Sequence, residues 1–219
     1  MTTRRCFLGM LWLLSAWTAL AEPIQFRVYG PYTDGKVYEI DVLRYLEGLS
    51  PDGNDFCTRL SLISPFFDTV QRSSPELLTI REIYAEKLRS AAHSKNPVNR
   101  TMALWCFKQI PEFPSNWEVL ESACSDRDIR VRSAAISVLA LIDRPEAFAI
   151  LKRQLLSPEA GIRYDCCSAV LRMSPKYHFQ IQEELLELCM GKSSYAKRSK
   201  QLYKLYFGPL PAESPASLR

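Results

Sequence analysis

The residues that could perform acid-base or nucleophilic chemistry are few and scattered along the chain. His93 and His178 are the only histidines, and neither stands in a motif with a serine or cysteine that it could activate as a base. Glu183, Glu184 and Glu187 fall on a predicted helix, where a solvent-exposed acidic face is the usual interpretation. No glycine-rich phosphate-binding loop is present. We therefore predict no catalytic residue, no cofactor and no enzymatic activity.

Three arginines are the most regular charged feature of the sequence. Arg100, Arg132 and Arg163 follow one another at intervals of 32 and 31 residues. They could form a row that binds an anion. They could instead form a structural ladder, in which each guanidinium bonds a carboxylate or carbonyl of the neighbouring unit. Nearby carboxylates for such a ladder are Asp126, Asp128 and Glu159.

The elements that position these arginines repeat with the same period. Each arginine lies six residues after a small polar residue that could cap a helix, namely Ser94, Asp126 and Ser157. Five apolar positions recur around it with the spacing i, i+1, i+3, i+4, i+7, which is one stripe of an amphipathic helix. A second apolar helix follows each proline-containing turn. We predict three helical hairpins, at 94–125, 126–156 and 157–191, that must stack to bury their stripes.

Weaker units are predicted on both sides, so that the repeat domain spans 51–207. Upstream, Pro75 to Ala92 and Phe56 to Val70 have helical spacing, with Pro65 expected to break or kink the earlier helix. Downstream, Lys192 and Arg198 reproduce the spacing from cap to arginine, and the helix that follows is expected to close the array. The proline-containing tail 208–219 is predicted to be disordered.

Residues 22–50 fit the repeat least and form a separate lead-in segment. Ile24, Phe26 and Val28 alternate with polar residues, as in a strand. This strand could pair with Lys36 to Asp41 in a β-hairpin that leads into a helix through Leu49. The alternative is an irregular, extended lead-in packed on the first helices.

The repeat units resemble HEAT repeats, and more narrowly the short HEAT-like repeats of the phycobilin lyase group. The resemblance rests on the run Asp126-Arg127-Asp128-Ile129-Arg130-Val131-Arg132-Ser133-Ala134-Ala135, followed by Arg144-Pro145-Glu146-Ala147. Ile162-Arg163 repeats the apolar-arginine pair, whereas Arg100 follows Asn99. The resemblance implies an all-α fold, a right-handed α-α superhelix of the HEAT-like solenoid type. It also favours the ladder interpretation of the three arginines.

In HEAT-like stacks the second helices line the concave side, and this implies a binding surface for a protein or peptide. The positions of these helices that lie outside the apolar stripe carry both charges: Glu118, Glu121, Lys152, Arg153, Gln154, Gln182 and Glu183. A mixed-charge groove suits a protein or peptide better than a polyanion. The alternative is an accessory subunit or enzyme that acts on an envelope component, with a pocket near His178 or beside the lead-in segment.

The first 21 residues have the features of a secretory signal peptide. Arg4 and Arg5 precede an apolar run of 16 residues that ends in Ala19-Leu20-Ala21. We predict cleavage after Ala21 and a secreted or periplasmic protein without stable membrane insertion. The alternative is an uncleaved membrane anchor, but the run is shorter than the ~20 residues that span a bilayer.

Export bears on the charge balance and on the cysteines. Loss of Arg4 and Arg5 lowers the formal charge from +4 to +2, which argues against nucleic acid as a partner. Six cysteines remain, and their pairing in an oxidising compartment is left open: Cys57, Cys106, Cys124, Cys166, Cys167 and Cys189. Helical periodicity places Cys106, Cys166 and Cys167 in the core, and no cluster has the spacing of a metal site.

Overall fold

A computed structural model describes residues 25–28, 38–69 and 75–211. The predicted signal peptide, its cleavage site after Ala21 and residues 212–219 of the predicted disordered tail lie outside this part of the chain. None of the helices described there is long and apolar enough to cross a lipid bilayer.

The lead-in segment contains a pair of short strands, in agreement with the hairpin alternative. Strand β1 (Gln25–Val28) pairs antiparallel with β2 (Tyr38–Asp41), with Gln25 opposite Asp41. Helix α1 (Val42–Glu47) follows directly, because the side chain of Asp41 accepts a hydrogen bond of 3.1 Å from the backbone N–H of Arg44 and caps the helix. Phe26 packs edge-on against Phe66, with ring centroids 5.3 Å apart, and this contact joins the strands to the helices.

Two helices precede the regular repeats. Helix α2 (Phe56–Thr69) includes Pro65, and α3 (Pro75–Ala92) has the bounds that its apolar spacing predicts. Phe67 of α2 stacks on Tyr84 of α3 at 3.7 Å between ring centroids. The sequence therefore correctly indicates an upstream helix pair, in which Pro65 does not end the earlier helix.

Three helical hairpins follow, and a last helix ends the array. The first helices are α4 (Pro97–Cys106), α6 (Ile129–Ile142) and α8 (Ala160–Val170), and the second helices are α5 (Ser115–Ala123), α7 (Pro145–Gln154) and α9 (Gln182–Met190). Short 3-10 helices occupy Phe107–Gln109 and Pro175–Ile181, and α10 (Ala196–Phe207) comes last. The predicted all-α, HEAT-like solenoid is confirmed.

The repeated apolar positions of the first helices form the core. Fourteen of the fifteen residues at the five predicted positions are buried, and the fifteenth, Ile142, is half-buried. They join one continuous cluster that also includes Leu120, Leu151 and Leu185 of the second helices. Neither helix of a hairpin could bury this stripe alone, so stacking of the units stabilises the fold.

The small polar residue that opens each repeat is not the helix cap, which corrects that expectation. The caps are Asn96, Asp128 and Glu159, two residues later in each unit. The opening residues fold the preceding loop instead, because the side-chain oxygens of Ser94, Asp126 and Ser157 accept a hydrogen bond from the backbone N–H of these cap residues.

Helix α10 departs from the repeat in register. Arg198 is its third residue, whereas each repeat arginine is the fourth residue of its helix. Among the described residues, no hydrogen bond links Arg198 to the preceding loop, and its side chain is exposed. Tyr203 is buried, but Leu205 of the predicted apolar face is 74% exposed. The spacing from Lys192 to Arg198 is therefore not a fourth copy of the arginine motif.

Candidate functional site

The residues proposed for partner binding lie on three successive second helices. Glu118, Lys152, Arg153 and Glu183 are exposed to solvent. Glu121, Gln154 and Gln182 are half-buried. Charged side chains of both signs therefore lie along α5, α7 and α9. They stand on the faces of these helices that do not pack into the hydrophobic core.

Two of these residues are not available separately, because they bind each other. Arg153 donates from Nε and Nη2 to the two carboxylate oxygens of Glu121, at 2.6 and 2.7 Å. This bidentate pair links α7 to α5 and holds the pKa of Glu121 below its usual range, mainly through the hydrogen bonds from Arg153. The pair orders the middle of the surface. Glu118 precedes Glu121 by one helical turn, and Lys152 is the residue before Arg153.

Gln182 has a structural contact at the end of the row. Its Nε2 donates a hydrogen bond of 2.9 Å to the hydroxyl of Tyr203, which links α9 to α10. Glu183, the next residue, is exposed. Glu183 therefore continues the charged row, whereas Gln182 also fastens the terminal helix.

The three repeat arginines share one local arrangement. In each unit the arginine Nη1 donates to the carbonyl oxygen six residues earlier, at 2.8 Å for Arg100, 2.8 Å for Arg132 and 2.6 Å for Arg163. The same atom also approaches the carbonyl five residues earlier at 3.2 to 3.4 Å. Each arginine thus ties the start of its first helix to the loop that precedes it.

The contact between units differs among the three arginines. Arg100 forms a bidentate pair with Asp126 of the next unit, at 2.9 and 3.0 Å, and is 5% exposed. In the described part of the chain, Arg132 and Arg163 form no ion pair within 4.0 Å. Asp128 pairs instead with Arg130 at its own helix start. Arg100 therefore connects two units, whereas Arg132 and Arg163 form hydrogen bonds within their own units.

The histidine and cysteine side chains that could take part in catalysis make packing contacts or are buried. His178 Nε2 lies 3.0 Å from the carbonyl oxygen of Met173, and its ring packs edge-on against Tyr206. Burial raises the pKa of the Cys124 and Cys167 thiols to about 12. Cys106, Cys166 and Cys189 are also buried. Among the described residues, no group of three or more His, Cys, Asp or Glu side chains could hold a metal ion.

A cavity of about 330 Å³ lies between the starts of two first helices and the loop that leads into α10. Its polar lining includes Arg132, Asp165, Ser193 and Tyr195. Of these four residues, the repeat pattern of the sequence indicates only Arg132. The other three come from a neighbouring helix and a distant loop. These three residues meet because the helices and the loop stack. The sequence feature that relates to this contact is Gly161 near the start of α8, where a side chain would collide with Tyr195.

Comparison with known proteins identifies the repeats. Residues 85–170 match the family model of HEAT repeats. The match begins within α3 and ends with the last residue of α8, so it includes the arginine motif of all three units. It gives no support to the narrower likeness to the phycobilin lyase group. No curated protein matches the sequence.

Proposed function

We propose that this HEAT-repeat protein is a non-catalytic, exported scaffold that binds a protein or peptide through the exposed face of α5, α7 and α9. HEAT repeats generally mediate protein interactions and are typically non-catalytic. The observation that carries the choice of face is the pair formed by Glu121 and Arg153, which bridges two successive second helices and holds them in a fixed relation.

The charge pattern of this face favours a polypeptide partner. Exposed Glu118, Lys152 and Glu183 lie on three different helices and alternate in sign along the chain. A polyanion would be repelled by the two carboxylates, whereas a polypeptide can present charges of both signs in register. A rigid, preformed surface also lowers the ordering cost of binding.

Charge reversal of the three exposed residues tests this face. We expect the triple variant Glu118→Lys, Lys152→Glu, Glu183→Lys to lose the partners that crosslinking and mass spectrometry identify for the wild-type protein in its native host. A matched control, Glu82→Lys, Glu86→Lys, Lys108→Glu, makes the same change in net charge at exposed positions elsewhere. The control should retain those partners. Equal retention by both variants would exclude the second-helix face.

The ion pair can be tested without loss of charge. Exchange of its members, by Glu121→Arg with Arg153→Glu, keeps a pair across α5 and α7 but inverts its polarity. We expect this variant to fold like the wild type and to bind the same partners better than either single variant. If the single variants bind as well as the exchange, the pair does not organise the surface.

Export is proposed from the leader sequence and needs its own test. N-terminal sequencing of the mature protein should begin at Glu22, and the protein should be recovered from the periplasm or the medium. Recovery of an intact N-terminus in the membrane fraction would favour the anchor instead.

A further inference from the structure

The last helix of the array, α10, carries a concentration of unpaired positive charge. Its twelve residues include no acid and four cations, namely Lys197, Arg198, Lys200 and Lys204, all of them exposed. The formal net charge of the whole chain is also +4, so the other residues together are neutral. Within the ranges that the structure describes, none of these four side chains forms an ion pair within 4.0 Å. The charge is therefore free to attract an anionic partner.

The three lysines of α10 form a row on one side of the helix. Lys197, Lys200 and Lys204 have the spacing i, i+3, i+7, which places them on one face. Ser199 and Tyr203 are buried, so a different face of α10 packs against the array. The lysine row is therefore presented to solvent by a helix whose position is already fixed.

The chain turns back beside this row after the helix ends. Gly208 has a φ of +90°, a conformation that favours glycine, and it allows this reversal. Pro209 and Leu210 then line a cavity of about 450 Å³ together with the three lysines. The cations thus border a recess that also has apolar walls, and that recess has room for a charged head group.

Large apolar side chains are exposed at the C-terminal end of the lysine row. Phe207 continues the spacing of the row, and Phe179 packs against it with ring centroids 6.0 Å apart. Phe179 is 76% exposed, and Leu205, which follows Lys204, is 74% exposed. Lysines beside exposed phenylalanine and leucine are typical of surfaces that rest on a lipid bilayer. There the cations meet lipid phosphates, and the apolar side chains enter the boundary between head groups and acyl chains.

We propose that the lysine face of α10 binds the surface of an anionic lipid bilayer, peripherally and reversibly. The lysine row attracts the lipid phosphates, and Phe179 and Leu205 insert at the head-group boundary. An acidic polypeptide would need apolar side chains at matching positions to cover Phe179 and Leu205, whereas a bilayer offers phosphates and acyl chains over its entire surface. The lysine face lies outside α5, α7 and α9, so this proposal does not depend on the proposed partner-binding face.

Co-sedimentation of the mature protein with lipid vesicles tests the proposal directly. We expect binding to phosphatidylcholine vesicles that contain about 30% phosphatidylglycerol, and little binding to vesicles of phosphatidylcholine alone. An increase in NaCl from about 0.1 to about 0.5 M should weaken this binding, because salt screens the attraction. Equal binding to the two kinds of vesicle would overturn the proposal. Displacement from the vesicles by poly-L-glutamate at an equal concentration of charge would also overturn it, in favour of an acidic polypeptide.

Neutralisation of the row connects vesicle binding to α10. The variant Lys197→Gln, Lys200→Gln, Lys204→Gln should bind the anionic vesicles on the order of a hundredfold more weakly, since each lysine at the bilayer surface contributes to the attraction. Its thermal stability should be unchanged, because the three side chains are exposed and glutamine favours helix about as well as lysine. A matched control removes three cations from exposed positions elsewhere, by Lys95→Gln, Lys108→Gln, Arg127→Gln. The control should bind like the wild type, and equal weakening in both variants would contradict the assignment.

A change at constant charge tests the apolar part of the surface. Phe179→Ala should weaken binding to the anionic vesicles about five- to tenfold, because the ring no longer leaves water at the bilayer. Leu156→Ala, at a side chain that is 84% exposed after α7, is the control and should not weaken it. Both variants should melt like the wild type. Wild-type vesicle binding by Phe179→Ala would overturn the insertion of apolar side chains, and with it the choice of a bilayer.

Discussion

Arg100 and Asp126 are joined by two hydrogen bonds, from Nε to Oδ2 at 3.0 Å and from Nη2 to Oδ1 at 2.9 Å. The pair joins the first helix of one repeat to the loop that leads into the first helix of the next, and the arginine is 5% exposed. Asp126 also accepts the backbone N–H of Asp128 at 2.8 Å. One carboxylate therefore fixes both the neighbouring unit and the loop of its own unit.

Removal of this carboxylate should destabilise the array. Asp126→Ala leaves the Arg100 guanidinium buried without its counter-ion, and we expect a loss of about 2–4 kcal/mol in the free energy of unfolding. Urea denaturation at neutral pH measures it. The control is Arg130→Ala, which breaks an exposed ion pair with Asp128 and should leave the urea midpoint unchanged. Equal effects of the two variants would show that the contact between units adds nothing.

The same pair should make stability depend on pH in acid. Burial of the Asp126 carboxyl raises its pKa, but the hydrogen bond from Arg100 and that from the Asp128 backbone outweigh this effect, so the pKa lies below its ordinary 3.8. A carboxyl with a lowered folded-state pKa stabilises the fold above the ordinary value, and this contribution is lost as pH falls through the lowered one. The difference in unfolding free energy between wild type and Asp126→Asn should therefore be constant above about pH 5 and shrink towards pH 2. A difference that does not change with pH would contradict this assignment.

Arg81 should be a second stability determinant at the upstream edge of the repeats. It is 2% exposed, and it donates to Glu112 at 2.6 Å and to the Gln109 carbonyl oxygen at 2.5 Å. Arg81→Ala should cost about 3–5 kcal/mol, because it leaves the half-buried Glu112 carboxylate and the Gln109 carbonyl without their donor. Hydrogen exchange should then rise in α3 and in the turn after α4. Unchanged exchange in both would argue against this role.

The buried thiols of Cys124, Cys166 and Cys167 should be unreactive in the native protein. Burial raises the pKa of Cys124 and Cys167 to about 12, and it raises that of Cys166 well above its ordinary value. Because the thiolate is the nucleophile, iodoacetamide at about pH 8 should modify these three only as the protein unfolds. Half-buried Cys57, whose thiol donates to Asn99 Oδ1, should react first. Mass spectrometry of peptides from native and urea-treated protein gives the order, and early modification of Cys166 would contradict it.

Gly161 should be coupled to Tyr195. Replacement of a helical glycine by alanine normally stabilises a protein by about 0.5–1 kcal/mol. Here the new methyl group meets the Tyr195 hydroxyl at 2.9 Å, so Gly161→Ala should give no such gain in the wild type. In a Tyr195→Ala background the gain should return. A double-mutant cycle by urea denaturation measures the coupling, and additive effects would mean that the two residues do not touch.

The helices and the repeat can be predicted from local sequence patterns alone. Proline-containing turns and five recurring apolar positions can be read from short stretches of sequence. A helix with this apolar spacing has one hydrophobic stripe, which must be buried. Pro75–Ala92 has the predicted bounds for this reason. Burial of Cys106, Cys166 and Cys167 was predicted by the same periodicity.

The local pattern does not fix the starts of the first two repeat helices, because each of the loops before them contains two residues of cap type. Ser94 and Asn96, or Asp126 and Asp128, are both good cap residues by type. The choice depends on which backbone N–H groups each side chain reaches, and the folded loop places the cap at the later residue. The spacing from Lys192 to Arg198 also resembles that from cap to arginine in the repeats. Helix α10 begins at Ala196, so Arg198 is its third residue and lies out of register with the repeat arginines.

The contacts between distant side chains depend on how the repeat units pack together. Glu121 and Arg153 are 32 residues apart and become partners because successive second helices lie side by side. Asp165 lies on α8, whereas Ser193 and Tyr195 lie in the loop before α10. They share a cavity only because that loop packs beside α8. Periodicity specifies which face of a helix is buried, because that depends on the residues of the helix alone. The partners on its exposed face depend on the packing of other units, which no local pattern records.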